Sequence, residues 1–272
     1  MTERLSLIAG SGALVPEVIA AAQGRGYLMQ VLSLEQRRSI AGVSAQPFNL
    51  ARPDEAVAHL RSFGPTMIAM AGGLHLSDRT REALLAFAGI GGNSLGDTAM
   101  SRVADYLTHV TGARVVGVHE IAPETIAAEG RIAGPEASAV LLETAAFAID
   151  LARQAGRLDL GQGVVVAGRR AIASEDVAGT DALLKRVQAY RRFGLAADGS
   201  SPLVLAKAAK PDQPLAIDLP AIGPRTVVNA RKAGVAMIVV QAGAAIVIQR
   251  SRLVATADRA GIPVVALRVR DA

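Results

Sequence analysis

In a chain rich in Ala, Val and Leu, the stretch "ASEDVAGTDALLKRV" (173–187) places Glu175, Asp176 and Asp181 just ahead of an amphipathic helix. A second polar set follows in "LAKAAKPDQPLAIDLPAIGP" (205–224), with Lys207, Lys210, Gln213 and Asp218. Ammonium groups suit a diphosphate, and carboxylates suit Mg²⁺, which prefers oxygen ligands and keeps waters and substrate phosphate in its shell. Taken singly, a lysine at a strand end is a solvated cation. Taken with four carboxylates in an apolar surrounding, the set points to a phosphate site. Thr180 is placed to N-cap the helix, with Asp181 in its first turn, where backbone N–H groups lack partners. That reading leaves Glu175 and Asp176, at the end of a strand-like run, unexplained.

Three more stretches carry candidate residues. In "IAGSGAL" (8–14), Gly10, Ser11 and Gly12 follow the first strand and precede a helix, where backbone N–H groups can meet an anion. A dinucleotide fingerprint wants Gly or Ala at position 15, where this chain has Val15, so a tight turn without ligand stays open beside it. "AGGLHLSD" (71–78), with Gly72, Gly73 and His75, and "GDTAM" (96–100), with Asp97, fall at further strand-to-helix junctions on the same expected sheet edge. Asp97 serves equally as a helix N-terminal acid. His119 and Glu120 in "GVHEIAPE" lack the second His of a zincin, since position 123 is Pro, and no helix is expected there.

These residues need scaffolding, and the chain has the length for it. It has 272 residues, 51% hydrophobic, enough for one large or two moderate domains. Cys and Trp are absent, so disulfides and thiolate metal sites are excluded. No stretch approaches the roughly 18 apolar residues of a membrane span, and the N-terminal apolar run is short for a signal peptide. A net charge of +5 favours anionic partners, but only 3% aromatic residues and scattered basic ones argue against nucleic acid.

The first half alternates apolar strands (5–10, 29–35, 66–73, 114–122) with helices (11–26, 54–64, 77–89, 96–112), the pattern of a parallel sheet covered on both faces. Residues 123–137 suggest a loop or small hairpin, and 137–159 a long bridging helix. The second half predicts a hairpin over 161–176, helices over 180–192, 224–234 and 251–261, strands over 202–209 and 263–269, a short run at 216–220 and a second hairpin over 236–249. The expected organisation is α/β: a Rossmann-like N-terminal domain over 1–133, a bridging helix over 134–158 and a mixed α/β domain over 159–272.

"GRLDLGQGVVV" (156–166), "SEDVAGTDALLKRV" (174–187) and "LAKAAKPDQPLAIDLPAIGPRTV" (205–227), with "LSLIAGSGALVPEV" (5–18), closely resemble the UDP-2,3-diacylglucosamine pyrophosphatase family of lipid A biosynthesis, of the type unrelated to calcineurin-like phosphoesterases. The resemblance runs through both halves in the same order. It implies a lipid substrate held between two domains and Mg²⁺-dependent hydrolysis of UDP-2,3-diacylglucosamine to 2,3-diacylglucosamine 1-phosphate and UMP. It also implies a homodimer and a cytoplasmic protein with peripheral contact at the inner membrane. Carried over by position, Asp218 is the principal catalytic or metal-linked acid, Glu175 and Asp181 are further catalytic acids, and Glu175 is a second metal ligand. The implied substrate-binding set is Gly10, Ser11, Gly12, Gly72, Gly73, Asp97, Gln162, Thr180, Lys207, Lys210 and Gln213.

The chain departs from the family pattern where relatives read G-N-V-S-R-P and it has "GGLHLSD" (72–78). Ala216 replaces a usual Arg, Gln241 and Ala244 replace a Glu and an Arg, and Gln249 replaces an Asp. Two alternatives therefore stand beside hydrolysis: a diverged protein that binds a nucleotide or acylated sugar phosphate without cleaving it, and a dinucleotide-dependent oxidoreductase.

Overall fold

The computed structural model describes residues 2–50, 52–73, 82, 86–87, 97–196, 201–211 and 219–269. The chain divides into two compact units, one of Met1–Glu124 with Pro214–Asp218 and one of Thr125–Gln213 with Leu219–Ala272.

In the first unit, strands β1 (Arg4–Ala9), β2 (Leu28–Ser33), β5 (Gln46–Pro47), β6 (Met67–Ala71) and β7 (Arg114–Val116) form one sheet in the order β5-β2-β1-β6-β7. All its pairs are parallel. Strands β3 (Ser39–Ile40) and β4 (Val43–Ser44) make a small antiparallel pair. Helices α1 (Leu14–Gly24), α2 (Pro53–Phe63), α3 (Asp97–Thr111) and the single-turn α4 (Val118–Ile121) complete the described elements. Strand β1 sits centrally, so its Leu5, Leu7 and Ala9 are fully buried. The chain leaves β1 toward β2 on one side and returns with β6 on the other, which puts a topological switch point between β1 and β6.

The expected strand over 114–122 ends early, at Val116. Glu120 explains why: its carboxylate accepts the Gly117 N–H at 3.1 Å and pairs with Arg114 at 2.7 Å, capping a helical turn that contains His119. The expectation of no helix at His119 and Glu120 is thus corrected.

The second unit is built on a six-stranded mixed sheet. Its strands are β8 (Gly130–Ala133), β9 (Gly163–Ala167), β10 (Arg170–Ser174), β11 (Leu203–Lys207), β13 (Val235–Gln241) and β15 (Val264–Leu267), in the order β10-β9-β11-β13-β15-β8. Pairs β11–β13 and β13–β15 are parallel, and the rest antiparallel. Helix α5 (Ala139–Arg157) covers one face, and α6 (Gly179–Arg192), α7 (Pro224–Lys232) and α8 (Arg250–Ala260) cover the other.

Strand alternation sorts the side chains between these faces. Val164, Val166, Val204 and Ala206 point to α5, whose Ala145, Ala148 and Ala152 let it pack closely; Val165, Leu203 and Leu205 point to Leu183, Leu184 and Val227 of the opposite helices. With both faces covered, the strands read as continuous apolar runs.

Two second-half expectations differ from the fold. The hairpin expected over 236–249 does not form. Strand β13 already has β11 and β15 on its two edges, so β14 (Ile246–Val247) pairs instead with β12 (Ala221–Ile222), in parallel. The segment 130–133 makes no hairpin of its own; as β8 it adds antiparallel to β15. The helix expected over 77–89 lies largely outside the described residues, as do residues 216–218 of the run expected over 216–220.

Candidate functional site

Lys207 continues the alternation of Leu203 and Leu205, so its side chain falls on the face covered by α6. It is the last residue of β11, and α6 presents its first turn there. Lys207 Nζ donates to Thr180 Oγ1 at 2.6 Å, and the Thr180 hydroxyl donates to Glu175 Oε1 at 2.9 Å. Lys207 Nζ also lies 3.5 Å from Glu175 Oε2, with the two side chains only 7% and 13% exposed.

This is the compact core of the site. Lysine and glutamate are rarely buried unless paired, and here each neutralises the other. Glu175 Oε2 is buried and accepts no hydrogen bond, so its charge is balanced by the Lys207 ammonium alone. Thr180 is not the N-cap that its position suggested. Helix α6 begins at Gly179 after Ala178, which provides no side-chain cap, because the Thr180 hydroxyl is committed to Glu175 and Lys207.

Glycines make room for this carboxylate. The Glu175 N–H donates to the Gly163 carbonyl at 2.7 Å, and a Cβ on Gly163 would come within 2.4 Å of Glu175 Oε2. Gly161, at φ +124, packs so closely that a Cβ there would lie 2.7 Å from the Glu175 carbonyl oxygen. The spacing G-Q-G in "LGQGVVV" was the available signal for this cradle, although it reads first as the start of a strand. Between the two glycines, the Gln162 carbonyl accepts the Ala208 N–H at 3.0 Å and so ties this loop to the one after β11.

The remaining charged residues take separate partners. Lys210 Nζ pairs with Asp159 at 2.6 Å and its stem packs on Gly156. Asp176 accepts from the Ala178 N–H at 2.9 Å and from Arg186 at 2.6 Å. Asp181 faces α7, where Arg225 Nε and Asn229 Nδ2 each donate to it at 2.7 Å. Sequence reasoning missed Arg225, Asn229, Arg186 and Asp159, because their partners are brought by the fold from distant segments or from another turn.

Burial pushes the Asp181 carboxyl up, but the hydrogen bonds from Arg225 and Asn229 and the charges of Arg225 and Lys185 outweigh it and leave it below the usual carboxylate range. The folded value is the lower one, so the stabilisation is complete above the unfolded carboxylate value of about 3.9 and is lost as pH falls through the folded value. Glu120, lowered by Arg114 and the Gly117 N–H against the effect of burial, acts in the same direction in the first unit. Urea midpoints measured from pH 6 to pH 2.5 are expected to fall below about pH 4, and Asp181→Asn to flatten that fall. Superimposable profiles for variant and wild type would remove Asp181 from this role.

The departure at Gln241 keeps one function of a carboxylate: its Oε1 accepts the Ala209 N–H at 3.0 Å and holds the loop after Lys207. Ala244 is buried, and Gln249 precedes α8 with φ +50. Gln213, Asp218, His75 and Ala216 lie outside the described residues, as does the side chain of Asp97, which opens α3. Among the described residues, no three His, Asp or Glu gather as a metal cluster.

In the first unit, the glycine loops after β1 and β6 lock onto each other at the switch point. Gly10 N–H donates to Ala71 O at 2.8 Å, Ser11 N–H to Gly73 O at 2.9 Å and Gly73 N–H to Ser11 O at 2.8 Å. A Cβ on Gly10 would stand 2.4 Å from Gly73 O, and one on Gly72 2.5 Å from Ser11 O. Gly12, at φ +101, meets open space. The N–H groups of Gly10 and Ser11 are therefore used inside the protein, and the glycines serve a close backbone approach.

Comparison with known proteins covers nearly the whole chain. The LpxI N-terminal domain model matches residues 4–125, and the LpxI C-terminal domain model matches residues 128–265. A Caulobacter vibrioides protein described as UDP-2,3-diacylglucosamine pyrophosphatase LpxI is 31% identical over 280 residues, covering 95% of each chain. Solved structures match weakly. The Bordetella bronchiseptica enzyme WbmG with NAD is 16% identical, over 42% of this chain and 36% of that one, with a TM-score of 0.30. A short-chain dehydrogenase/reductase superfamily protein from Agrobacterium tumefaciens with bound NAD is 15% identical, over 75% of this chain and 66% of that one, with a TM-score of 0.29. Likenesses of that size carry no argument about ligand.

Proposed function

The chain belongs to the LpxI family, and from that premise we propose that it is a UDP-2,3-diacylglucosamine pyrophosphatase of lipid A synthesis, cleaving the diphosphate to 2,3-diacylglucosamine 1-phosphate and UMP. The observation that carries the reading is the buried Lys207–Thr180–Glu175 chain at the end of β11. A diphosphate needs its negative charge neutralised while it is attacked, and a held ammonium beside a carboxylate offers a cation and a proton acceptor. Lys207 stabilises charge on a phosphoryl oxygen, and Thr180 keeps its ammonium in place. Glu175 supplies the acceptor, with Asp218 proposed as the acid that orients and deprotonates water. Lys210 and Gln213 keep substrate-positioning roles, and Asp181, expected as a further catalytic acid, is assigned a supporting one because Arg225 and Asn229 hold its carboxylate.

We assign Mg²⁺ as the ion, which prefers one or two carboxylates with the rest of its shell from water and phosphate. Glu175, whose Oε2 faces Lys207 at 3.5 Å, and Asp218 are the carboxylates that we assign to it. When bound, the ion would supply Lewis-acid stabilisation of the phosphoryl oxygens. A dinucleotide-dependent reaction draws no support, since the Gly10 and Ser11 N–H groups that would cradle a pyrophosphate are already hydrogen-bonded. A homodimer and an acylated UDP-sugar substrate complete the proposal.

Incubation of the purified chain with UDP-2,3-diacylglucosamine is expected to release UMP with Mg²⁺ and to lose that release with EDTA. Retention of the ligand with no UMP at any metal would favour the non-hydrolysing binder.

A further inference from the structure

Large apolar side chains are exposed at the same end of the second sheet as Lys207. Leu158 (72% exposed) and Leu160 (51%) lie in the loop between α5 and β9, and the fully exposed Val177 lies between β10 and α6. The two loops touch, through the close approach of Gly161 to Glu175. Isolated exposed apolar residues are ordinary, so their placement is what matters. These share their loops with Glu175 and Gln162.

The charges around them are arranged to suit an anionic surface. Each acid on these loops is paired: Asp159 with Lys210, Asp176 with Arg186 and Glu175 with Lys207, while Asp181 at the start of α6 pairs with Arg225. Arg157 and Lys185 are exposed cations beyond those pairs, in a chain of net charge +5. No helix among the described residues is long and apolar enough to cross a membrane.

We propose that Leu158, Leu160 and Val177, flanked by Arg157 and Lys185, form a docking surface for an anionic lipid bilayer. The apolar tips enter the headgroup region while the cations meet lipid phosphates. The inference rests on the reading of the substrate as an acylated UDP-sugar, an amphiphile that resides in a bilayer. Seating this edge on the bilayer puts Glu175 and Lys207 next to where such a molecule leaves it.

Co-sedimentation of the full chain with phosphatidylethanolamine/phosphatidylglycerol vesicles, against phosphatidylcholine vesicles, tests it. Wild type is expected to bind the anionic vesicles, and L158D/L160D/V177D to lower the partition coefficient about tenfold or more. V177D alone, at a fully exposed position, should lower it about threefold and keeps the test valid if the triple variant folds poorly. F193D, at the far end of α6 and 76% exposed in wild type, should bind as wild type does. Wild type that ignores anionic vesicles, a V177D or triple variant that binds like wild type, or equal loss in F193D would overturn the proposal. A triple variant that changes only the oligomeric mass would replace the bilayer with a second copy of the chain. UMP release from detergent-dispersed substrate, run in parallel and expected unchanged in the triple variant, separates the two readings. Docking without UMP release would sink the reaction alone.

Discussion

Replacing Lys207 with Ala is expected to cost about 3–5 kcal/mol of unfolding free energy and to reduce UMP release to background. The side chain is 7% exposed and faces a Glu175 that is 13% exposed, so deleting the cation strands a buried carboxylate. Thr180 cannot compensate: a hydroxyl already donating to Glu175 Oε1 carries no charge and leaves Oε2 without a partner. Replacing both partners, as in Lys207→Met with Glu175→Leu, removes the stranded charge and should recover most of the stability, because well-packed apolar residues match a buried ion pair at about equal free energy. Turnover should stay at background in the double variant. Urea unfolding followed by circular dichroism measures the first part and UMP release the second. A single-variant loss below about 1 kcal/mol, the size of an exposed pair, would show that the pair is not held as described.

Gly163→Ala is expected to lower turnover about a hundredfold with a stability loss smaller than that of Lys207→Ala. The added methyl would stand 2.4 Å from Glu175 Oε2, which is the end of a flexible side chain, so the carboxylate can swing aside while the backbone stays. That swing breaks the alignment of Glu175 with Lys207 and Thr180, and a misplacement of about 1 Å in a positioned group is enough for such a loss. Gly161→Ala is the informative contrast. There the methyl would meet the backbone of Glu175, and φ +124 is strained for any side chain, so stability should suffer as well as rate. Full activity in Gly163→Ala would mean that Glu175 acts from some other position, or not at all.

Much of the fold was legible because local rules suffice for it. The apolar runs at β1, β9 and β11 and the helical spacing of α5, α6 and α8 appear in the sequence within a residue or two of where they form. Pairing was not legible to the same degree. The glycine at 243 between two apolar runs reads as a hairpin turn, yet β13 had no free edge, and a strand's edges are taken by segments far away in sequence.

The same division holds for the site. The amino-acid sequence by itself determined the membership in the LpxI family, the α/β class, and a polar set around 175–181 and 207–218 of the types that handle phosphate. Alternation along β11 even determined the face on which Lys207 would lie. Only the tertiary structure decided which of these groups meet. It joined Lys207 to Thr180 and Glu175, gave Lys210 to Asp159 and Asp181 to Arg225 and Asn229, and turned an expected helix cap into a link between two buried charges. The physical reason is that a buried charge must find its partner within a few ångströms, and the partners of Lys207, Lys210 and Asp181 come from segments 27 to 51 residues away, placed there by strand order and helix packing.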